Sequence, residues 1–157
     1  MKKNILNLAL AAFVAVGTVA YTGCGKKGCT VEADDKFDAD ATESDPEACD
    51  PAATVAKFAG TYSVTETCTS GNDAYTITIA ASGSSEYTIL ITNMYDAGST
   101  FIVNATVDQN EITIANQTVV GVAVSGSGSI NGNTLTVSYT VSVGGQSDTC
   151  SITAQKQ

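Results

Sequence analysis

Five cysteines, Cys24, Cys29, Cys49, Cys68 and Cys150, are the side chains of this 157-residue sequence best equipped for chemistry. A thiol can act as a nucleophile, hold a metal or pair into a disulfide, and its neighbours decide among these fates. The chain has no histidine, so the base that usually activates a serine or cysteine nucleophile is missing. No two cysteines stand at Cys-x-x-Cys spacing, which takes away the usual frame for zinc. Carboxylates remain for acid–base work, but Asp73, Asp96, Asp108, Glu111 and Asp148 fall in or beside turn-forming stretches, where acids commonly shape the turn itself. The glycine-rich run 126–132 looks like a phosphate loop, yet strand-like sequence flanks it and no helix N-terminus follows to receive an anion. These residue types point away from an enzyme and imply neither a metal nor a cofactor. A carboxylate-dependent hydrolase is the weakest functional alternative.

Pairing is the natural fate of the thiols in an exported protein. Lys2 and Lys3 precede an apolar run from Ile5 to Ala20, interrupted only by Asn7, Gly17 and Thr18. That is the charged start and apolar middle of an export signal, too short to span a membrane comfortably. The following Tyr21-Thr22-Gly23-Cys24 resembles the lipobox of bacterial lipoproteins. The resemblance implies removal of residues 1–23 as a signal peptide and a diacylglycerol on the Cys24 sulfur. It places the protein, lipid-anchored, at the outer membrane or cell surface of a bacterium. Ordinary cleavage after Ala20 is the alternative, with Thr18 and Ala20 as its small residues. Exported proteins disfavour an odd cysteine, and reserving Cys24 for lipid leaves four to pair in one of three connectivities.

The net charge is −9, from 16 acids against 7 lysines, which excludes nucleic acid as a partner. Nine of the acids fall between Glu32 and Asp50. Large apolar residues are few from Gly25 to Lys57, and no period of 2 or 3.6 is sustained there. Residues 24–57 therefore read as a disordered, flexible acidic linker with a reach of about 30 Å. A two-turn helix over 51–58 fits within it, with Asp50 as cap and Pro51 at its first position. Asp38, Asp40, Asp45, Glu47 and Asp50 invite a calcium reading, but the glycine an EF-hand loop needs is absent, and a self-repelling tether is the simpler account. Cys29 and Cys49 bracket this segment and suit a disulfide loop.

From Gly60 onward the apolar period becomes two. Tyr62 and Val64 alternate with Thr61, Ser63 and Thr65; Tyr75, Ile77 and Ile79 alternate with Thr76 and Thr78. Six further strands are predicted over 86–95, 101–108, 111–115, 119–129, 135–143 and 150–154, each separated by a short turn cluster, including one at Ala115-Asn116-Gln117. Eight consecutive strands joined by hairpins predict an all-β domain over 58–157: an antiparallel meander closing into an up-and-down barrel, with a flattened barrel or two-sheet sandwich as the alternative. Cys68 shares parity with Tyr62 and Val64, and Cys150 with Ile152, so both thiols should face the apolar side. One ends the first strand and the other begins the last, the ends that meet when those strands close the barrel. This predicts a Cys68–Cys150 bond.

The opening Phe58-Ala59-Gly60-Thr61-Tyr62 resembles the start of small lipocalin-like domains of bacterial lipoproteins. The resemblance implies a barrel able to hold a small hydrophobic ligand and transfers no binding residue. Tyr87, Asn93, Tyr95, Phe101 and Tyr139 form the candidate ligand site, with Asn93 sharing the parity of Ile89 and Ile91; filling of the core is their competing role. The functional expectation is a non-enzymatic binding or interaction module on a membrane anchor, contacting a small hydrophobic ligand or an envelope protein. A purely structural surface lipoprotein is the alternative.

Overall fold

The computed structural model describes residues 25–157. The expected signal peptide 1–23 and the expected lipid attachment point Cys24 lie outside the described residues.

The acidic segment is folded, which corrects the expectation of a flexible linker. Two short strands, β1 (Lys27–Gly28) and β2 (Glu43–Ser44), pair in parallel, and the Cys29–Cys49 disulfide closes the loop around them. The aspartates are turn formers and not merely mutual repellents. Asp34, Asp38 and Asp45 each accept the backbone N–H two residues on, from Lys36, Asp40 and Glu47, the Asx turn that satisfies a backbone donor locally. Asp50 caps helix α1 (Pro51–Ala56) through the Ala53 N–H, with Pro51 in the first turn, as its sequence predicts. Lys26 pairs with Asp38, and Lys36 with Asp50, so part of the repulsion is offset. Composition misleads here because short polar hydrogen bonds and a disulfide stand in for an apolar core.

The rest of the chain is the predicted closed barrel. Its strands are β3 (Gly60–Cys68), β4 (Gly71–Ala81), β5 (Thr88–Thr92), β6 (Ile102–Asp108), β7 (Glu111–Val119), β8 (Val122–Asn131), β9 (Thr134–Val143) and β10 (Gln146–Lys156). Each pairs antiparallel with its successor, and β10 returns to β3. Alternation holds: Tyr62 and Val64 on β3, Ile77 and Ile79 on β4, and Val137, Tyr139 and Val141 on β9 turn inward, while the threonines and serines between them face solvent. Tyr62, Ile77, Ile91, Val103 and Leu135 are almost wholly buried and fill the middle of the barrel with side chains.

Two details differ from the sequence reading. Residues 115–117 are not a turn but a bulge in β7, where pairing with β8 slips between Ile114 and Gln117. Gln117 exchanges side-chain hydrogen bonds with the Asn104 backbone on β6, replacing ladder bonds that the bulge removes. The true reversal is Val120-Gly121, both at positive φ, as a tight two-residue hairpin requires. Inward-facing Gly126 and Gly128 give β8 close approach to β9: a Cβ on Gly126 would lie 2.6 Å from Tyr139 Cβ, and one on Gly128 2.8 Å from Val137 Cγ2.

The predicted Cys68–Cys150 bond is present, between residues directly opposite in the β3–β10 register. It lies at the end of the barrel away from α1. At the other end the acidic segment forms a cap. Val55 and Phe58 join the barrel's hydrophobic core. Asp34, fully buried, accepts the Tyr87 hydroxyl at 2.8 Å. Gln109 bonds to the Ala33 and Glu32 carbonyls, and Lys57 reaches the Asn110 side chain.

Candidate functional site at the open end

The uncapped end is a mouth made by the β3–β4 turn, residues 93–101 between β5 and β6, and the β7–β8 and β9–β10 hairpins. β4 outruns β5: only Thr78–Ala81 pair with it, so the upper half of β4 stands beside loop 93–101 and not beside a strand. The barrel wall is therefore incomplete at that corner, and Tyr95 occupies the gap.

Tyr95 sits in the left-handed region, φ 62°, between Asn93 at 66° and Asp96 at 46°. Such conformations are costly for a bulky side chain and persist only where the surroundings hold them. Here the holding contacts are visible. The Tyr95 N–H donates to the Tyr75 hydroxyl (3.0 Å), its own hydroxyl donates to Asp148 Oδ2 (2.9 Å), and its ring meets that of Tyr139 edge-on at 6.5 Å. Asn93 fixes the loop by accepting from the Gly98 N–H and donating to the Thr76 carbonyl.

Two carboxylates face this corner. Asp148, on β10, also accepts the Thr69 and Ser70 hydroxyls and the Ser70 N–H. The Ser70 and Thr69 hydroxyls, opposed by burial and helped by Tyr95, hold its carboxyl down at about 2, and the Tyr95 phenol is raised in turn by the bond to Asp148. Asp148 is ionised at any physiological pH. Glu66, on β3 one inward step below Cys68, is 4% exposed. Its Oε1 accepts hydroxyls from both Tyr75 (2.8 Å) and Tyr139. Burial first, and then the bonded Glu66, push both phenols far above their ordinary value.

Two clefts flank Tyr95. One, of about 350 Å³, is walled by Val122, Val141 and Val143, with Ser70, Tyr95 and Asp148 at its edge. The other, of about 390 Å³, is lined by Glu66, Cys68, Ser70, Asp73, Tyr95 and Asp96.

The sequence-derived ligand set is brought together only in part. Tyr95 and Tyr139 meet at the mouth. Phe101 is 2% exposed in the hydrophobic core. Asn93 does not continue the inward parity of Ile89 and Ile91, because β5 ends at Thr92 and the left-handed Asn93 turns its amide to the loop backbone. Tyr87 lies at the opposite, capped end. Its positive φ takes it out of strand alternation, and burial followed by the Asp34 contact pushes its phenol up to about 12. Asp73 and Asp148, expected in or beside turns, lie near the turn-proximal ends of β4 and β10. Glu66 was open to detection: it continues the parity of Tyr62 and Val64 directly.

The described residues thus define a small closed antiparallel β-barrel, capped at one end by a disulfide-bonded N-terminal segment and open at the other around two carboxylates. Comparison with known protein families, with curated proteins and with solved structures returned no match.

Proposed function

We propose that this is an exported, lipid-anchored envelope lipoprotein, held at Cys24, whose lipocalin-like barrel is a non-enzymatic module binding a small ligand at its mouth. The 350 Å³ cleft carries the reading: it is lined by valines with a few convergent polar groups, the usual make-up of a small-molecule site. The filled middle of the barrel directs binding to the mouth and away from an interior chamber. Two disulfides suit an oxidising compartment, and because they use the other four cysteines, they support reserving Cys24 for lipid. A hydrolase is disfavoured: both oxygens of Asp148 are engaged by donors of the chain itself, Thr69 and the Ser70 N–H on Oδ1 and the Ser70 and Tyr95 hydroxyls on Oδ2, which ties it into the loop structure instead of aiming it at a substrate.

The test is a thermal-shift screen of small molecules against the mature chain and its Val143→Arg variant, which fills the mouth. Ligands that raise the melting temperature of the parent alone support the module; a screen with no such ligand favours the purely structural alternative. For the anchor, Cys24→Ser should abolish partition into membranes, since acyl chains dominate the affinity at about 0.8 kcal/mol per buried CH₂. Unchanged partition would refute it.

A further inference from the structure

We infer that the mouth receives a small organic cation, a protonated amine on an apolar body, with its ammonium at Glu66 and its body along Tyr95 and the valine-lined cleft. The inference rests on the ligand-binding reading above. It starts from the unshared oxygen of Glu66. Both tyrosine hydroxyls go to Oε1, and Oε2 has no hydrogen-bond partner among the described residues. No buried side-chain oxygen is left unpartnered there, so Oε2 opens onto the 390 Å³ cleft that Glu66 lines. A carboxylate that is almost wholly enclosed, and met on one side only by neutral hydroxyls, calls for a positive partner on the other.

The described residues do not supply one. Among the described residues, Lys26, Lys27 and Lys36 belong to the cap, and Lys57 and Lys156 lie at the capped end; every ion pair found joins a cap lysine or Lys57 to a cap aspartate. Among the described residues the mouth holds Glu66, Asp73, Asp96 and Asp148 without a cationic side chain, so its field favours a cation. The spacing argues for an organic one. No three of these carboxylates bring oxygens within 4.8 Å of one another; Glu66's close companions are the sulfurs of the Cys68–Cys150 disulfide, which are not thiolate ligands while bonded. A hard metal ion would find too few oxygens. An ammonium needs only a carboxylate and an aromatic face, which Tyr95 offers between the two clefts. The valines beyond Ser70 then accept an apolar substituent.

Calorimetry on the mature chain with 2-phenylethylamine, 2-phenylethanol and calcium chloride as separate probes decides the matter. The amine is expected to bind at least about tenfold more tightly than the alcohol, and to weaken as salt rises. Glu66→Gln keeps an oxygen for the two tyrosines and should lose about tenfold in amine affinity with the alcohol unaffected. Asp96→Asn, at an exposed position where folding is not at stake, should lose about threefold. Equal binding of amine and alcohol, insensitive to Glu66→Gln, would leave a binding mouth but overturn the cation. Tighter binding of calcium than of the amine would overturn it in favour of a metal site. No heat from any probe up to about 10 mM would overturn the cation, while the screen against Val143→Arg judges the binding module separately.

Discussion

Replacing Asp34 with alanine should detach the cap from the barrel. The carboxylate is fully buried and receives three donors: the Lys36 N–H on Oδ1, and the Asp50 N–H and Tyr87 hydroxyl on Oδ2, each at 2.8 Å. Hydrogen bonds to a charged group are worth about 1.5–3 kcal/mol each, and because the three share one acceptor, the expected loss is about 3–5 kcal/mol rather than their sum. Urea unfolding followed by near-ultraviolet tyrosine dichroism would show a midpoint lower by about 2 M at an m-value near 1.5–2 kcal/mol/M. Asp34→Asn should recover little, since turning its amide nitrogen toward Oδ2's place sets it against the Asp50 N–H, and turning it the other way sets it against the Lys36 N–H. Acid should narrow the difference. Burial opposes the charge of Asp34, but the hydrogen bonds from Lys36, Tyr87 and Asp50 outweigh it and its carboxyl titrates below the ordinary value. A depressed folded pKa contributes stability above the unfolded value, near 3.9, that is lost as pH falls through the folded one. The gap between parent and variant should therefore hold at pH 7 and narrow progressively below about pH 4. A variant within about 0.5 kcal/mol of the parent at pH 7, or a gap unchanged at the lowest pH at which both fold, would refute the assignment.

The disulfides should rank by the chain they enclose. Cys68–Cys150, with a sequence separation of 82, should cost about 4.5 kcal/mol when both cysteines become alanine, and Cys29–Cys49, separation 20, about 3; denaturant midpoints of the two double variants check the order. Gly128→Ala should destabilise by about 1–3 kcal/mol because its methyl must displace Val137 and the adjoining β9 backbone. Ser127→Ala on the outer face should stay within about 0.5 kcal/mol in the same assay.

The barrel was legible because a half-buried strand writes its orientation into every second residue. From Tyr62 to Ala154 the apolar set and the wall of the core nearly coincide, and the same parity placed Cys68 opposite Cys150. Parity fails where the backbone changes hand. Tyr87, Asn93 and Tyr95 look like one face of a strand, but each has positive φ, and a single left-handed residue turns the next side chain elsewhere. The β7 bulge misled in the same way, since Asn116-Gln117 has turn composition, while Gln117 in fact bridges to β6. The cap was hidden for a different reason. Its order comes from Asx turns, a disulfide and one buried carboxylate, and nothing in the spacing of Asp34 sets it apart from the eight acids around it. At the mouth, Glu66 was readable from parity and Tyr75 reaches it across the β3–β4 hairpin, but its partnership with Tyr139 and the neighbourhood of Asp148 depend on barrel closure between β10 and β3, which joins residues far apart in the chain.

The cap has a consequence for where the mouth points. A flexible segment ending at Lys57 would have let the domain wander about 30 Å from its anchor. Because β1 starts at Lys27, only two residues, Gly25 and Lys26, separate a lipidated Cys24 from the first strand of the folded body, a reach of about 10 Å even when fully extended. In the lipid-anchored reading the protein is less a balloon on a string than a cup set on its base, with the capped end toward the bilayer and the acidic rim turned to the solution beyond it.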